Sequence, residues 1–115
     1  MGDMKKPIIT SLGNPLVKQV RALRQKKART ESGLFIVEGI HHVGEVVEAG
    51  WDVDTLLYAP GLLTSSFARD LVSRLDDKRQ PVSEQVMESM ADKENPQGIL
   101  ALVHYDQPMQ ENDGM

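Results

Sequence analysis

Gly33-Leu34-Phe35-Ile36-Val37-Glu38-Gly39 runs directly into Ile40-His41-His42-Val43-Gly44-Glu45-Val46-Val47-Glu48-Ala49-Gly50, and the architecture can be built outward from this stretch. Leu34 to Val37 is a short unbroken apolar run rich in β-formers and ended by Glu38-Gly39, the pattern of a strand covered on both faces and therefore central in a sheet. Beyond the turn, Ile40, Val43, Val46 and Val47 recur at helical spacing, and Gly50 stands where a helix C-terminal cap belongs. The unit is strand, turn, helix. The alternation then continues. Thr55 to Tyr58 reads as a strand, Ser65 or Ser66 caps a helix carrying Phe67, Leu71, Val72 and Leu75, and Pro81-Val82 fits a short strand. Val86, Met87 and Met90 give helical spacing over Ser83 to Met90, and a turn at Asn95-Pro96-Gln97-Gly98 leads into a last strand, Ile99 to Val103. Such alternation predicts one α/β layered domain with a partly parallel central sheet, its strand order left open.

Upstream of the quoted stretch, Asn14-Pro15 reads as a helix N-cap followed by proline at the first helical position, where its missing N–H costs nothing. Leu16, Val17, Val20 and Leu23 recur on one side of this helix, with Lys18, Arg21 and Gln25 on the other. Lys26, Lys27 and Arg29 follow where the helix should fray, and Thr30 to Gly33 reads as a loop, so the basic charge is expected to continue into flexible backbone. Residues 1 to 30 carry eight Lys and Arg against one Asp, a net +7, whereas residues 31 to 115 carry five basic and sixteen acidic side chains. The overall charge of −4 therefore hides a basic end on an acidic body. A polarised chain of this kind offers a footprint for a polyanion, although a basic block is also often only a solvated helix face.

Several function classes lack support. The 115 residues suffice for one domain and not for a second cofactor-binding fold. Without cysteine there is no thiolate nucleophile and no Cys-ligated zinc. No Gly-x-Ser-x-Gly elbow and no glycine-rich phosphate cradle occurs. The longest apolar stretch, Ile99 to Val103, is far too short to span a bilayer, and a cytoplasmic protein is expected. His41 and His42 diverge by about 100° on a helix, which disfavours a shared metal. They read as solvent-facing residues at a helix start, with contact to phosphate or ribose as the sharper alternative. Trp51, just past a helix cap, is expected to pack over the helix end and is left out of the candidate site.

Taken in order and spacing, Ile9-Thr10-Ser11, Asn14 to Lys18, the basic Leu23 to Arg29 segment, Gly33 to Gly39, Val43 to Gly50 and Gln97 to Ala101 resemble the N-terminal substrate-binding domain of SpoU-type (TrmH-like) RNA 2′-O-ribose methyltransferases. The resemblance runs from Ile9 to Val103. It implies the three-layer α/β/α sandwich of kink-turn-binding ribosomal proteins, with a small mixed sheet. It also implies structured ribosomal or transfer RNA as partner, together with a separate catalytic domain that binds S-adenosylmethionine and supplies the Asn, Arg and Glu-Gly motifs. No such motifs follow here, so neither a catalytic residue nor a cofactor is expected in this chain. Glu38-Gly39 closes the first strand and is not the catalytic Glu-Gly. Carried over position by position, Asn14, Lys18, Arg29, Glu38 and Gly39 fall on recurring family positions, while Arg21, Lys26 and Lys27 add charge. With His41 and His42 they make the candidate RNA-binding set. Residues 9–105 are expected to form the binding domain, preceded by a flexible 1–8 and followed by a linker at 106–115. The alternative is a protein-interaction or dimerisation module of the same fold without direct RNA contact.

Overall fold

The computed structural model describes residues 6–92 and 97–105. Asn95-Pro96 of the expected turn, the expected linker and most of the expected flexible N-terminus lie outside these. Among the described residues the order is α1 (Pro15–Ala22), α2 (Lys26–Ser32), β1 (Leu34–Glu38), α3 (Ile40–Glu48), β2 (Val53–Tyr58), a 3-10 turn at Pro60–Leu62, α4 (Ser66–Arg74), β3 (Arg79–Pro81), α5 (Glu84–Met90) and β4 (Ile99–His104). The strands form one mixed sheet in the order β1-β4-β2-β3. β4 runs antiparallel to both β1 and β2, and β2 pairs with β3 in parallel across the α4 connection. Asn14, Ser65 and Ser83 each cap a helix by accepting from a first-turn N–H.

Side chains of successive strand residues point to opposite faces, so the sheet divides the core in two. Leu100 and Leu102 of β4, with Leu34 and Leu57, pack under Val17 and Val20 of α1 and Val86, Met87 and Met90 of α5. Ile99, Ala101 and Val103 point the other way, against Val43 and Val46 of α3 and Leu71 and Val72 of α4. β2 slips in register between Val53 and Thr55, which lets Val53 and Leu56, three residues apart, face the same layer. Helices on both faces of a small mixed sheet make the expected three-layer α/β/α sandwich. No helix of the described residues is long and apolar enough to cross a membrane.

Five expectations are corrected. β1 is an edge strand, not a central one, and after Leu34 it is only half-buried; the inner strands are β4 and β2, with β4 buried from Ile99 to Val103. Thr30 to Ser32 belong to helix α2, not to a loop, and Gln25 is the N-cap of α2 where a place on the first helix was expected. Phe67 is half-exposed; its ring covers Gly44 at the α3–α4 seam, and Ala68 takes the buried position. β3 ends at Pro81, while Val82 makes a parallel bridge to Ile9.

Candidate nucleic-acid interface

α1 buries Val17 and Val20, with Leu23 at its C-cap also buried, which turns Lys18 and Arg21 outward to solvent. Asn14 holds the start of the helix, its Oδ1 accepting from the Leu16 N–H at 2.8 Å. The chain then turns sharply into α2, and Arg29 fixes that turn. Its Nη1 donates to the carbonyls of both Leu23 and Arg24 at 3.0 Å, supplying partners to backbone oxygens at the end of α1. Lys26 and Lys27 lie exposed on the first turn of α2, presented by helix and not by loose backbone. Lys18, Arg21, Lys26 and Lys27 thus stand on two consecutive short helices joined by a clamped turn.

One ion pair ties this basic segment to the far end of β1. Arg24 Nη2 lies 3.1 Å from Glu38 Oε1 and donates at 2.6 Å to the Met90 carbonyl at the end of α5. The Glu38 side chain is only 11% exposed and also accepts from the Asp92 N–H at 3.2 Å. Its carboxylate is therefore a structural hub whose lone pairs are largely spent. Directly after it, Gly39 has φ 101°, a conformation that L side chains rarely adopt, and a Cβ there would stand 3.2 Å from Gln97 Oε1. That Gln97 oxygen accepts from the Ile40 N–H at 2.7 Å, so the first turn of α3 is held by a residue 57 positions away. His41 and His42 follow, both exposed, with ring centroids 5.7 Å apart; His41 Nε2 lies 3.4 Å from Glu45 Oε2.

The geometry separates the candidates into two kinds. Lys18, Arg21, Lys26, Lys27, His41 and His42 have exposed side chains, whereas Asn14, Arg29, Glu38 and Gly39 are engaged in holding the elements that present them. Sequence reasoning passed over Arg24, Gln97 and Trp51. Arg24 was visible as one more basic residue, but its partner lies 14 positions on and depends on how α1 docks. Beside the outer half of β1 two open grooves face the surface, one of about 450 Å³ reached by Arg24, Arg29 and Asp92, the other of about 500 Å³ walled by α3 and Trp51.

The fold and its basic helix pair define the class, a small three-layer α/β/α module with an exposed cationic edge. Comparison with known proteins narrows it. Residues 14–101 match the model of the MRM3-like substrate binding domain. A tRNA/rRNA methyltransferase of Synechocystis is 32% identical over 110 residues, which are 86% of this chain and 36% of the relative. The crystal structure of an RNA 2′-O ribose methyltransferase superposes with a TM-score of 0.77 at 26% identity, covering 89% of this chain and 39% of that one. The AdoMet-bound rRNA methyltransferase of Sinorhizobium meliloti gives a TM-score of 0.67 at 32% identity, over 85% of this chain and 36% of that one. The chain belongs to the MRM3-like substrate-binding domain family, whose relatives here are rRNA and tRNA methyltransferases of the SpoU type. It spans little more than a third of the length of the relatives it matches.

Proposed function

We propose that this chain binds structured ribosomal or transfer RNA and holds it for a separate catalytic domain, which methylates a ribose 2′-hydroxyl with S-adenosylmethionine. Lys18, Arg21, Lys26 and Lys27 supply phosphate contacts, and the Glu38–Gly39 turn with His41 and His42 meets backbone or ribose at the other end of β1. Asn14 and Arg29 act as positioning residues. The observation that supports this reading most is the Arg24–Glu38 pair, which ties the segment between the two basic helices to the end of β1 beside the Gly39 turn. Residues 9–105 constitute the binding domain and 106–115 the connection onward, in a cytoplasmic protein.

One place where an anionic or nucleotide ligand could approach the backbone closely is the glycine turn after β1. Here that position is filled by the chain's own Gln97. The chain's part is to bind and orient RNA, and no step of the transfer is assigned to it.

Titrating a fluorescently labelled ribosomal RNA fragment with the purified chain at several salt concentrations tests the reading. Four phosphate contacts predict that log affinity falls with log salt at a slope of roughly −3. Affinity that is absent at low salt, or that does not change with salt, would favour the protein-interaction module instead.

A further inference from the structure

We infer that the groove between β1 and α3 is a pocket for an unpaired purine of the RNA, with guanine as the base it fits; this rests on the RNA-binding reading above. On α3, His42, Glu45, Val46 and Ala49 fall at positions i, i+3, i+4 and i+7, a single stripe facing the outer half of β1. Ile36 and Val37 form the opposite wall. The resulting open groove, of about 500 Å³, has largely apolar walls with Glu38, His42 and Glu45 as its polar groups, a composition compatible with a small-ligand site.

Trp51 closes the far end, and its position is built in. Gly50, at φ 75°, reverses the chain after α3, and the Trp51 N–H donates back to the Val46 carbonyl at 3.2 Å. This six-to-one bond of a Schellman cap fixes the backbone of Trp51 over the helix end. Its indole meets Phe35 edge-on, with centroids 6.2 Å apart and planes at 66°, and Phe35 leans in turn on Tyr105 at 5.0 Å. Held this way, Trp51 remains 41% exposed, a large aromatic at the mouth of the groove. Fixed aromatics at such places are platforms on which unpaired bases stack.

The polar rim chooses among bases. Glu45, with a side chain 64% exposed, presents a carboxylate whose Oε2 lies 3.4 Å from His41 Nε2; an acceptor-only group, it can take two parallel N–H donors once the exposed His41 side chain gives way. Guanine offers such a pair on its Watson–Crick edge, N1–H with the 2-amino group, whereas adenine offers one amino group there. Glu38 at the other end of the groove is neutralised by Arg24, so the pocket does not present two bare carboxylates to a polyanion. Glu38 and Ile36 border both this groove and the region reached by Arg24, so a strand whose phosphates follow the basic helices passes the pocket mouth directly.

Trp51 is the sole tryptophan of the chain, so its emission reports on the pocket alone. The probe is a short hairpin RNA carrying one guanosine in a uridine loop, with adenosine, inosine and all-uridine loops for comparison. Anisotropy of a label on the stem is followed together with Trp51 emission. The guanosine loop should quench Trp51 and bind about tenfold more tightly than the adenosine or inosine loop, and Glu45→Gln should remove that preference. Ala49→Leu, which fills the groove at an exposed helix-cap position, should abolish quenching while salt-dependent anisotropy binding persists. Binding by anisotropy with unchanged Trp51 emission, or equal quenching by every loop, would overturn the pocket and leave the RNA-binding reading intact. Absence of anisotropy binding to every hairpin even at low salt would overturn both. Trp51 emission that shifts with protein concentration in the absence of RNA would assign the groove to a second copy of the chain and likewise overturn the proposal.

Discussion

Arg24 and Glu38 show how much of this surface depends on single side chains. Removing the guanidinium by Arg24→Ala leaves a carboxylate only 11% exposed with the Asp92 N–H as its remaining partner, and it frees the Met90 carbonyl. Leaving a largely buried charge short of partners costs about 2 kcal/mol. Urea denaturation of the variant should show a lower midpoint with an unchanged slope, since the surface exposed on unfolding stays the same. A midpoint equal to that of the parent would mean the pair is ornamental and the basic helices are not tied to β1. At this scale the sequence disclosed what is local. Asn14 and Ser65 cap the helices they precede, as their neighbours in sequence announce. Contacts such as Arg24–Glu38 and Gln97–Ile40 join positions 14 and 57 residues apart, and nothing in the flanking residues encodes them.

Among the elements, α2 is the least readable. Its sequence, Lys-Lys-Ala-Arg-Thr-Glu-Ser, has no apolar stripe beyond Ala28, so periodicity cannot reveal it, and a seven-residue helix does not stand alone in water. What holds it is the αL cap at Gly33 and the Arg29 guanidinium across the α1–α2 turn. Arg29→Ala should therefore raise amide hydrogen exchange across residues 26–32 while leaving β4 protected, at a cost of about 1 kcal/mol. Unchanged exchange in α2 would show that another contact holds it. The misplacement of β1 has an equally physical cause. An unbroken apolar run signals coverage on both faces, but in β1 that coverage comes from helices and grooves at the sheet edge, with Ile36 and Val37 lining an open cleft. The strands with neighbours on both sides are β4 and β2, and it is β4 whose Ile-Leu-Ala-Leu-Val carries the longest apolar stretch of the chain. Apart from Phe67, Gln25 and the unread α2, periodicity gave the helix faces, and it could not give the strand order, which is settled by pairing between distant segments.

Across the whole molecule, the division of charge along the chain becomes a division in space. Lys18, Arg21, Lys26 and Lys27 belong to the layer of α1 and its neighbour α2, whereas Arg69 and Arg74 belong to α4, which packs on the opposite face of the sheet. Arg74 is also engaged with Glu48 at 3.0 Å, and Arg69 donates to the Leu63 carbonyl. A uniformly attractive cation field would make these two groups equivalent, while a defined interface would not. Arg29 is left unchanged in the decisive variant because its reversal would unclamp the α1–α2 turn and confuse loss of binding with loss of fold. Exposed lysines and arginines such as the other four usually change stability by less than about 0.5 kcal/mol. The deciding measurement is RNA affinity across a salt series for the parent chain, for Lys18, Arg21, Lys26 and Lys27 all replaced by glutamate, and for Arg69, Arg74 and Lys78 replaced likewise, with folding checked by circular dichroism. Loss of binding and of its salt slope in the first variant, with both retained in the second, is the predicted result; equal loss in the two would contradict a binding face on α1 and α2.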